Sequence, residues 1–373
     1  MIYRMTMKDV AVVVLCCIFC FTLAEAKTVV IKQPFGKMPD GTPIEIFTLS
    51  DGKVEARIMT FGGIIVSLKT PDRNGKMDDI VLGFDTAEEY VANSHNYYGA
   101  LIGRYANRIA HGAFTLEGKQ HSLPKNNGEN TLHGGPNGFY NVLWKAKQIP
   151  NGLEMTYFSK DGEEGFPGNL TATVRYTLQN AALRVEYSAT TDKSTVVNMT
   201  QHSYFNLTGQ SNGDILGDQL TLHASKFTPV DAGLIPTGEI RSVTGTPFDF
   251  LKSTRIGDRI EADDQQIKLG GGYDHNWVLD NSNGKLAEAA EVYEPTSGRL
   301  MKVSTTEPGI QFYSGNFLTG SKGKGGKPYP KRSALCLETQ HYPDSPNHPA
   351  FPSTELKPGQ KYESVTVFNF SAR

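Results

Sequence analysis

Cysteine is scarce in this chain. Of four, Cys16, Cys17 and Cys20 fall within the first 26 residues, which leaves Cys336 alone in the remainder. A single thiol cannot close an internal disulfide, so the fold has to stand on its apolar core. Net charge is missing too: 37 Lys and Arg stand against 39 Asp and Glu. That balance removes the one-sided field on which nucleic-acid or anionic-membrane binding relies. Helical periodicity is hard to find after residue 27. The nine histidines are spread out, with no His-Glu-x-x-His or paired-Cys pattern, and no glycine loop cradles a phosphate. Neither a metal nor any other cofactor is therefore expected. No linker-like tract divides Lys27 from Arg373, and no repeat of solenoid or propeller period stands out.

A long apolar run occurs at the N-terminus. Arg4 and Lys8 give a basic start, Val10 to Leu23 are apolar and uncharged, and Ala24-Glu25-Ala26 supplies a small-x-small cleavage pattern. Residues 1–26 are read as a secretory signal, with the mature chain starting at Lys27 and exported to a periplasm or the medium. The run falls short of the ~20 residues of a comfortable membrane span, so no membrane attachment is expected after cleavage.

What is abundant suits strands and tight turns: 38 Gly, 19 Phe and 16 Tyr. Strand-like runs recur at Val54–Met59, Gly63–Leu68, Leu153–Phe158, Ala172–Leu178, Leu183–Ala189, Gln219–Leu222 and Ser364–Phe370. Arg184-Val-Glu-Tyr-Ser-Ala189 alternates with period two, and the runs end at Gly, Asn, Asp or Pro. The expectation is an all-β chain, a large antiparallel β-sandwich forming one domain over residues 27–373. Thr319 to Arg332, with four lysines and Arg332 among glycines, reads as a solvated, flexible loop.

Polar and ionisable side chains concentrate in scattered short segments: Gly103-Arg-Tyr-Ala-Asn-Arg108, Leu132-His-Gly-Gly135, Gln201-His-Ser-Tyr-Phe-Asn206, Gly272-Tyr-Asp-His-Asn276, Thr305-Thr-Glu-Pro-Gly-Ile-Gln-Phe-Tyr313 and Leu337-Glu-Thr-Gln340. Remote segments of this kind usually converge on one concave site. On a strand, Asn198, Thr200 and His202 share a face, and Tyr204 and Phe205 follow as surfaces on which a sugar can stack. Glu338 and Gln340 share a face opposite Leu335 and Leu337. Apolar neighbours desolvate Glu338, which raises a carboxylate's pKa toward that of a base working near neutrality. Cys336 reads as a small buried hydrophobe. Asp274, after Gly270-Gly-Gly272, fits either an acceptor for sugar hydroxyls or a turn cap. His275 points to the other face. Asn107 and Arg108 offer a planar, multi-donor pair, with a purely structural arginine as the alternative. His133, beside two glycines, lies where backbone can approach a ligand closely.

In order and content the six segments resemble the aldose 1-epimerase (galactose mutarotase) family across roughly Phe61 to Asn369. The resemblance implies the family's supersandwich fold and interconversion of the α and β anomers of hexoses such as glucose and galactose. It implies Glu338 as general base, His202 as general acid and His133 as its support, with Asn107, Arg108 and Asp274 holding hydroxyls. Tyr204 and Gln311 are expected to wall the pocket. The partner is then a small aldose, met by a monomer or a dimer. Asp274 and Glu338 alternatively suit the two carboxylates of a glycoside hydrolase, but that scheme leaves two histidines unused. A carbohydrate-binding protein without turnover would need no general acid. Gly209-Gln-Ser-Asn-Gly213 matches an esterase elbow, yet no helix follows it.

Overall fold

Alternation along the strands builds the architecture. In Leu170–Gln179, Leu170, Ala172, Val174, Tyr176 and Leu178 are buried while Thr171, Arg175 and Gln179 face solvent. The period of two places every second side chain on one face of a sheet. The computed structural model describes residues 27–281 and 283–373; the signal-like segment 1–26 lies outside the described residues. Every strand-like run named above is a strand, with no bound shifted by more than three residues.

Three antiparallel sheets carry most of the chain. The first runs Val29–Lys37, Pro43–Ser50, Glu55–Met59, Ile65–Pro71, Met77–Asp79 in sequence order. The largest is ordered Lys145–Ile149, Gly152–Ser159, Leu170–Gln179, Ala182–Thr191, Tyr362–Ala372, Arg299–Thr305, Ala287–Tyr293, Gln219–Leu222, Thr254–Arg255. The third is ordered Arg241–Ser242, Lys226–Thr228, Asp274–Val278, Gly309–Tyr313, Cys336–Gln340. One continuous core joins all three, with Leu49 and Ile58 from the first, Val174 and Phe368 from the second, and Trp277, Phe312 and Leu337 from the third. The expected all-β sandwich is the observed fold.

The third sheet matters most for function because its two faces differ. His275, Trp277, Ile310, Phe312 and Leu337 turn into the core. Cross-strand register then puts Asp274 opposite Tyr313, Asn276 opposite Gln311, and Gln311 opposite Glu338 on the other face. The short strand Thr200–His202 pairs with Ala100–Ile102 and packs beside Cys336–Gln340. It is shorter than the expected Asn198–His202 strand. Asn198 is held instead by a single bridge to Tyr105, and its side chain clamps the main chain of Ala106 and His341.

One expectation fails. Thr319–Arg332 is not a free loop, because three of its side chains are pegs. Buried Lys324 donates to Asp79 Oδ2 at 2.7 Å and to the Val81 carbonyl at 2.8 Å. Tyr329, 1% exposed, binds main chain at Gly83, and Arg332 binds Ser314, Asn316 and the Gly271 carbonyl. Glycine content counted for less than these long-range partners, which a local reading of composition cannot see.

Candidate active site

A cavity of about 690 Å³ opens over the polar face of the third sheet. Its floor and walls include His133, His202, Glu338, Asp274, Asn107, Arg108 and Tyr204, so seven of the eight residues singled out in the sequence meet at one site. The eighth, Gln311, is corrected: it does not line the cavity. It lies one layer beneath, 3% exposed, and its Nε2 donates to Asp274 Oδ1 at 2.8 Å. That bond fixes Asp274 as an acceptor aimed into the cavity. No turn-capping hydrogen bond involves its carboxylate among the described residues. The preceding glycines instead end the helix Gln265–Gly270, with Gly271 left-handed at φ 61°.

Glu338 and His202 face one another across adjacent strands, with His202 Nε2 3.6 Å from Glu338 Oε2. His202 is sandwiched between Tyr97 and Tyr204, at ring-centroid distances of 5.9 and 5.0 Å, and meets the edge of His133 at 5.1 Å. Its Nδ1 lies 3.5 Å from Cys336 Sγ, so Cys336 is buried as expected but also in contact with the histidine. Arg108 and His133 are brought together by the two-residue ladder of Arg108–Ile109 with Thr131–Leu132. Arg108 Nε donates to Asn127 Oδ1 at 3.1 Å, and Asn107 Oδ1 accepts the Arg108 N–H at 2.9 Å. The glycines after His133 permit close approach: a Cβ on Gly134, at φ 85°, would sit 2.1 Å from the Gly103 carbonyl oxygen.

Electrostatics follow from burial. Glu338 is pushed well above the ordinary carboxylate range, mainly by desolvation and then by the charge of Asp274, with Arg108 opposing. His202 is pushed down to about 4 by desolvation. His133 is held well below its usual value by desolvation, then by His202 and Arg108. Asp274 is raised by desolvation, against the pull of Arg108 and Gln311. Burial thus disfavours charge on both members of the Glu338–His202 pair. The pair is best described as two adjacent sites holding one proton between them.

His133, His202 and Glu338 also place one ligand atom each within 4.8 Å of one another, a two-histidine, one-carboxylate set that the sequence spreads over most of its length. The surroundings do not suit a metal. A metal-bound imidazole donates its second N–H to an acceptor. Here His133 Nδ1 accepts the backbone N–H of Asn107 at 3.2 Å, so its proton resides on Nε2. The arrangement presents a donor to the cavity and not a metal ligand.

Sequence reasoning missed Tyr97, Tyr98, Asn127, Phe317 and Leu318, all on the cavity wall. Tyr97 has φ 57° and stacks on the catalytic-face histidine. Nothing in its local Asn-Tyr-Tyr context distinguishes it from core aromatics. His275 turns away as expected, bonded to Gln266 Oε1 at 3.2 Å. The Gly209–Gly213 segment is a polar turn, with Ser211 donating to Gln210.

The aldose 1-epimerase family profile matches residues 45–369. Galactose mutarotase of Bos taurus is 47% identical over 344 residues, covering 92% of this chain and 98% of its own. Aldose 1-epimerase of Escherichia coli K12 is 40% identical, covering 90% of this chain and 97% of its own. Among solved structures, an aldose epimerase homologue from C. elegans superposes with a TM-score of 0.79 at 32% identity, over 86% of this chain and 96% of its own.

Proposed function

This chain belongs to the aldose 1-epimerase family, and from that premise we propose that it opens and recloses the ring of hexoses such as galactose and glucose with Glu338 as base and His202 as acid. The enzyme is an isomerase that interconverts aldose anomers. The observation that carries the assignment of roles is the 3.6 Å approach of His202 Nε2 to Glu338 Oε2 on one wall of the cavity. In the productive state the shared proton is on His202. Glu338 takes the proton of the anomeric O1 hydroxyl while His202 gives its own to the ring oxygen O5. The C1–O5 bond breaks and C1 becomes an aldehyde. After rotation about C1–C2, O5 adds to the other carbonyl face, returns its proton to His202, and O1 recovers one from Glu338. Each transfer contributes ~10²–10⁴-fold. His133 Nε2–H donates to the sugar or supports His202, Asp274 and Arg108 hold hydroxyls, and Tyr204 supplies a stacking wall.

Polarimetry on fresh α-galactose and α-glucose tests this directly. Decay toward the anomeric equilibrium should accelerate with protein, whereas decay at the buffer rate would refute the activity. Dialysis against a chelator should leave the acceleration intact, because acid–base ring opening needs no metal; a loss restored by zinc would overturn that. A glycoside hydrolase built on Asp274 and Glu338 gives His202 and His133 nothing to do and is not favoured.

The pH profile of kcat/KM should be a broad bell. The ordinary values of the two side chains would give the acidic limb to Glu338 and the basic limb to His202, but burial reverses their order. Activity falls on the acid side where His202, pushed down to about 4, takes a second proton beside a protonated Glu338. It falls on the basic side where Glu338, raised by burial, gives up the last proton. The limbs belong to the pair. A narrow bell bounded by the ordinary values of 4.5 and 6.5 would contradict a buried, shared-proton pair.

We also propose that the chain is exported and cleaved before Lys27, on the strength of Arg4, Lys8, the apolar run and Ala24-Glu-Ala26. N-terminal sequencing of exported protein should begin at or near Lys27; an intact Met1 terminus on membrane-bound product would count against export.

A further inference from the structure

Beneath the sugar cavity lies a second polar layer that the reaction scheme leaves unused. The register of the third sheet aligns Asn276, Gln311 and Glu338 in one cross-strand row. Thr200 belongs to the same face, two residues before His202 on the strand that packs beside Cys336–Gln340. Gln340 follows Glu338 by two and shares its face. Thr200, Asn276, Gln311 and Gln340 are each at most 3% exposed, and none lines the cavity.

These side chains carry polar atoms with no partner among the described residues: both amide atoms of Asn276 and of Gln340, Gln311 Oε1, Thr200 Oγ1 and Glu338 Oε2. Buried polar atoms in folded proteins are as a rule hydrogen-bonded, to water where no protein group is available. A buried water needs two to four polar partners, and this row offers donors and acceptors from four side chains. Gly309, opposite Gln340, leaves room for the Asn276 side chain, since a Cβ there would lie 2.4 Å from Asn276 Oδ1.

We propose that Thr200, Asn276, Gln311 and Gln340 bind ordered water directly beneath Glu338, and that this water, through Glu338 Oε2, positions the carboxylate that takes the anomeric proton. The proposal rests on the reading of Glu338 as base. The four are positioning residues: they reach the sugar only through Glu338, or, for Gln311, also through Asp274. A water donating to Oε2 stabilises the carboxylate form, which burial otherwise penalises. Without that donor the base is harder to deprotonate and free to turn away from O1.

Thr200→Val and Gln340→Met keep size and remove the polar atoms, and Thr200→Ser keeps the hydroxyl. The first two should lower kcat roughly tenfold to a hundredfold, the scale of a lost hydrogen bond to a charged group. KM should stay within about twofold, because uniform sugar binding is untouched, and a limb of the kcat pH profile should move. Thr200→Ser should restore kcat and the profile. If the layer holds no water, apolar isosteres relieve an unmet burial cost, so Tm should rise with kcat and pH profile unchanged; that result overturns the proposal. Glu338→Gln measured alongside separates the two levels. If it keeps the wild-type rate, the base assignment fails and the proposal with it. If it loses the rate while Thr200→Val and Gln340→Met keep theirs, the water layer alone is refuted.

Discussion

Glu338→Gln should slow mutarotation by about 10²–10⁴-fold while leaving sugar binding nearly intact. The amide keeps the size of the side chain and most of its hydrogen bonding, so the substitution removes the capacity to take a proton and little else. The site is built to make that loss visible. Glu338 is 2% exposed, so bulk water has little access to the place where its carboxyl works. The adjacent carboxylate, Asp274, is tied by Gln311 Nε2 at 2.8 Å and belongs to a strand separated from that of Glu338 by Gly309–Tyr313. Asp274→Ala and Arg108→Ala should behave differently. They remove contacts present in ground and transition states alike, so KM should rise together with any fall in kcat. Steady-state polarimetry with a direct binding measurement distinguishes the two patterns. A Glu338→Gln enzyme with near-normal turnover would place the base elsewhere, with Asp274 the next carboxylate to examine.

The legibility of this site in the sequence has a physical pattern. The period-two stripe of Leu335, Leu337 against Glu338, Gln340 is a local property of one strand, and it identified the buried carboxylate correctly. The same rule turned His275 away from the site and His202 toward it. Gln311 defeated the rule in a different manner: its face was right, but depth was not. A strand position says which side of the sheet a side chain takes, and only the neighbouring strands decide whether it reaches the cavity or, as here, supports Asp274 from below. Thr319–Arg332 failed for a related reason, because the partners of Lys324, Tyr329 and Arg332 include residues remote in the chain, at Asp79, Gly83 and Gly271. The inversion of proton affinities between Glu338 and His202 was likewise out of reach. Partial desolvation of Glu338 was readable from its neighbours, but the equal burial of His202 between Tyr97 and Tyr204 depends on a loop roughly a hundred residues upstream.

That sandwich sharpens the last expectation. His202→Asn should also cost about 10²–10⁴-fold in turnover, since it removes the group that protonates O5. The substitution empties ring space between Tyr97 and Tyr204, so a rate loss alone does not separate chemistry from packing. Two further readouts do. The histidine variant loses one of the two coupled sites, so its pH profile should collapse from a bell to a single limb. The double variant Glu338→Gln, His202→Asn should be little worse than the poorer single one, because groups that pass one proton between them act as a unit and their losses do not add. Packing damage, by contrast, is independent of whether Glu338 can ionise and would multiply with the loss of the base. A double variant whose rate falls by the product of the two single effects, with the bell retained in His202→Asn, would therefore show that the histidine shapes the pocket and that the acid is another group, His133 being the nearest candidate at 5.1 Å between ring centroids.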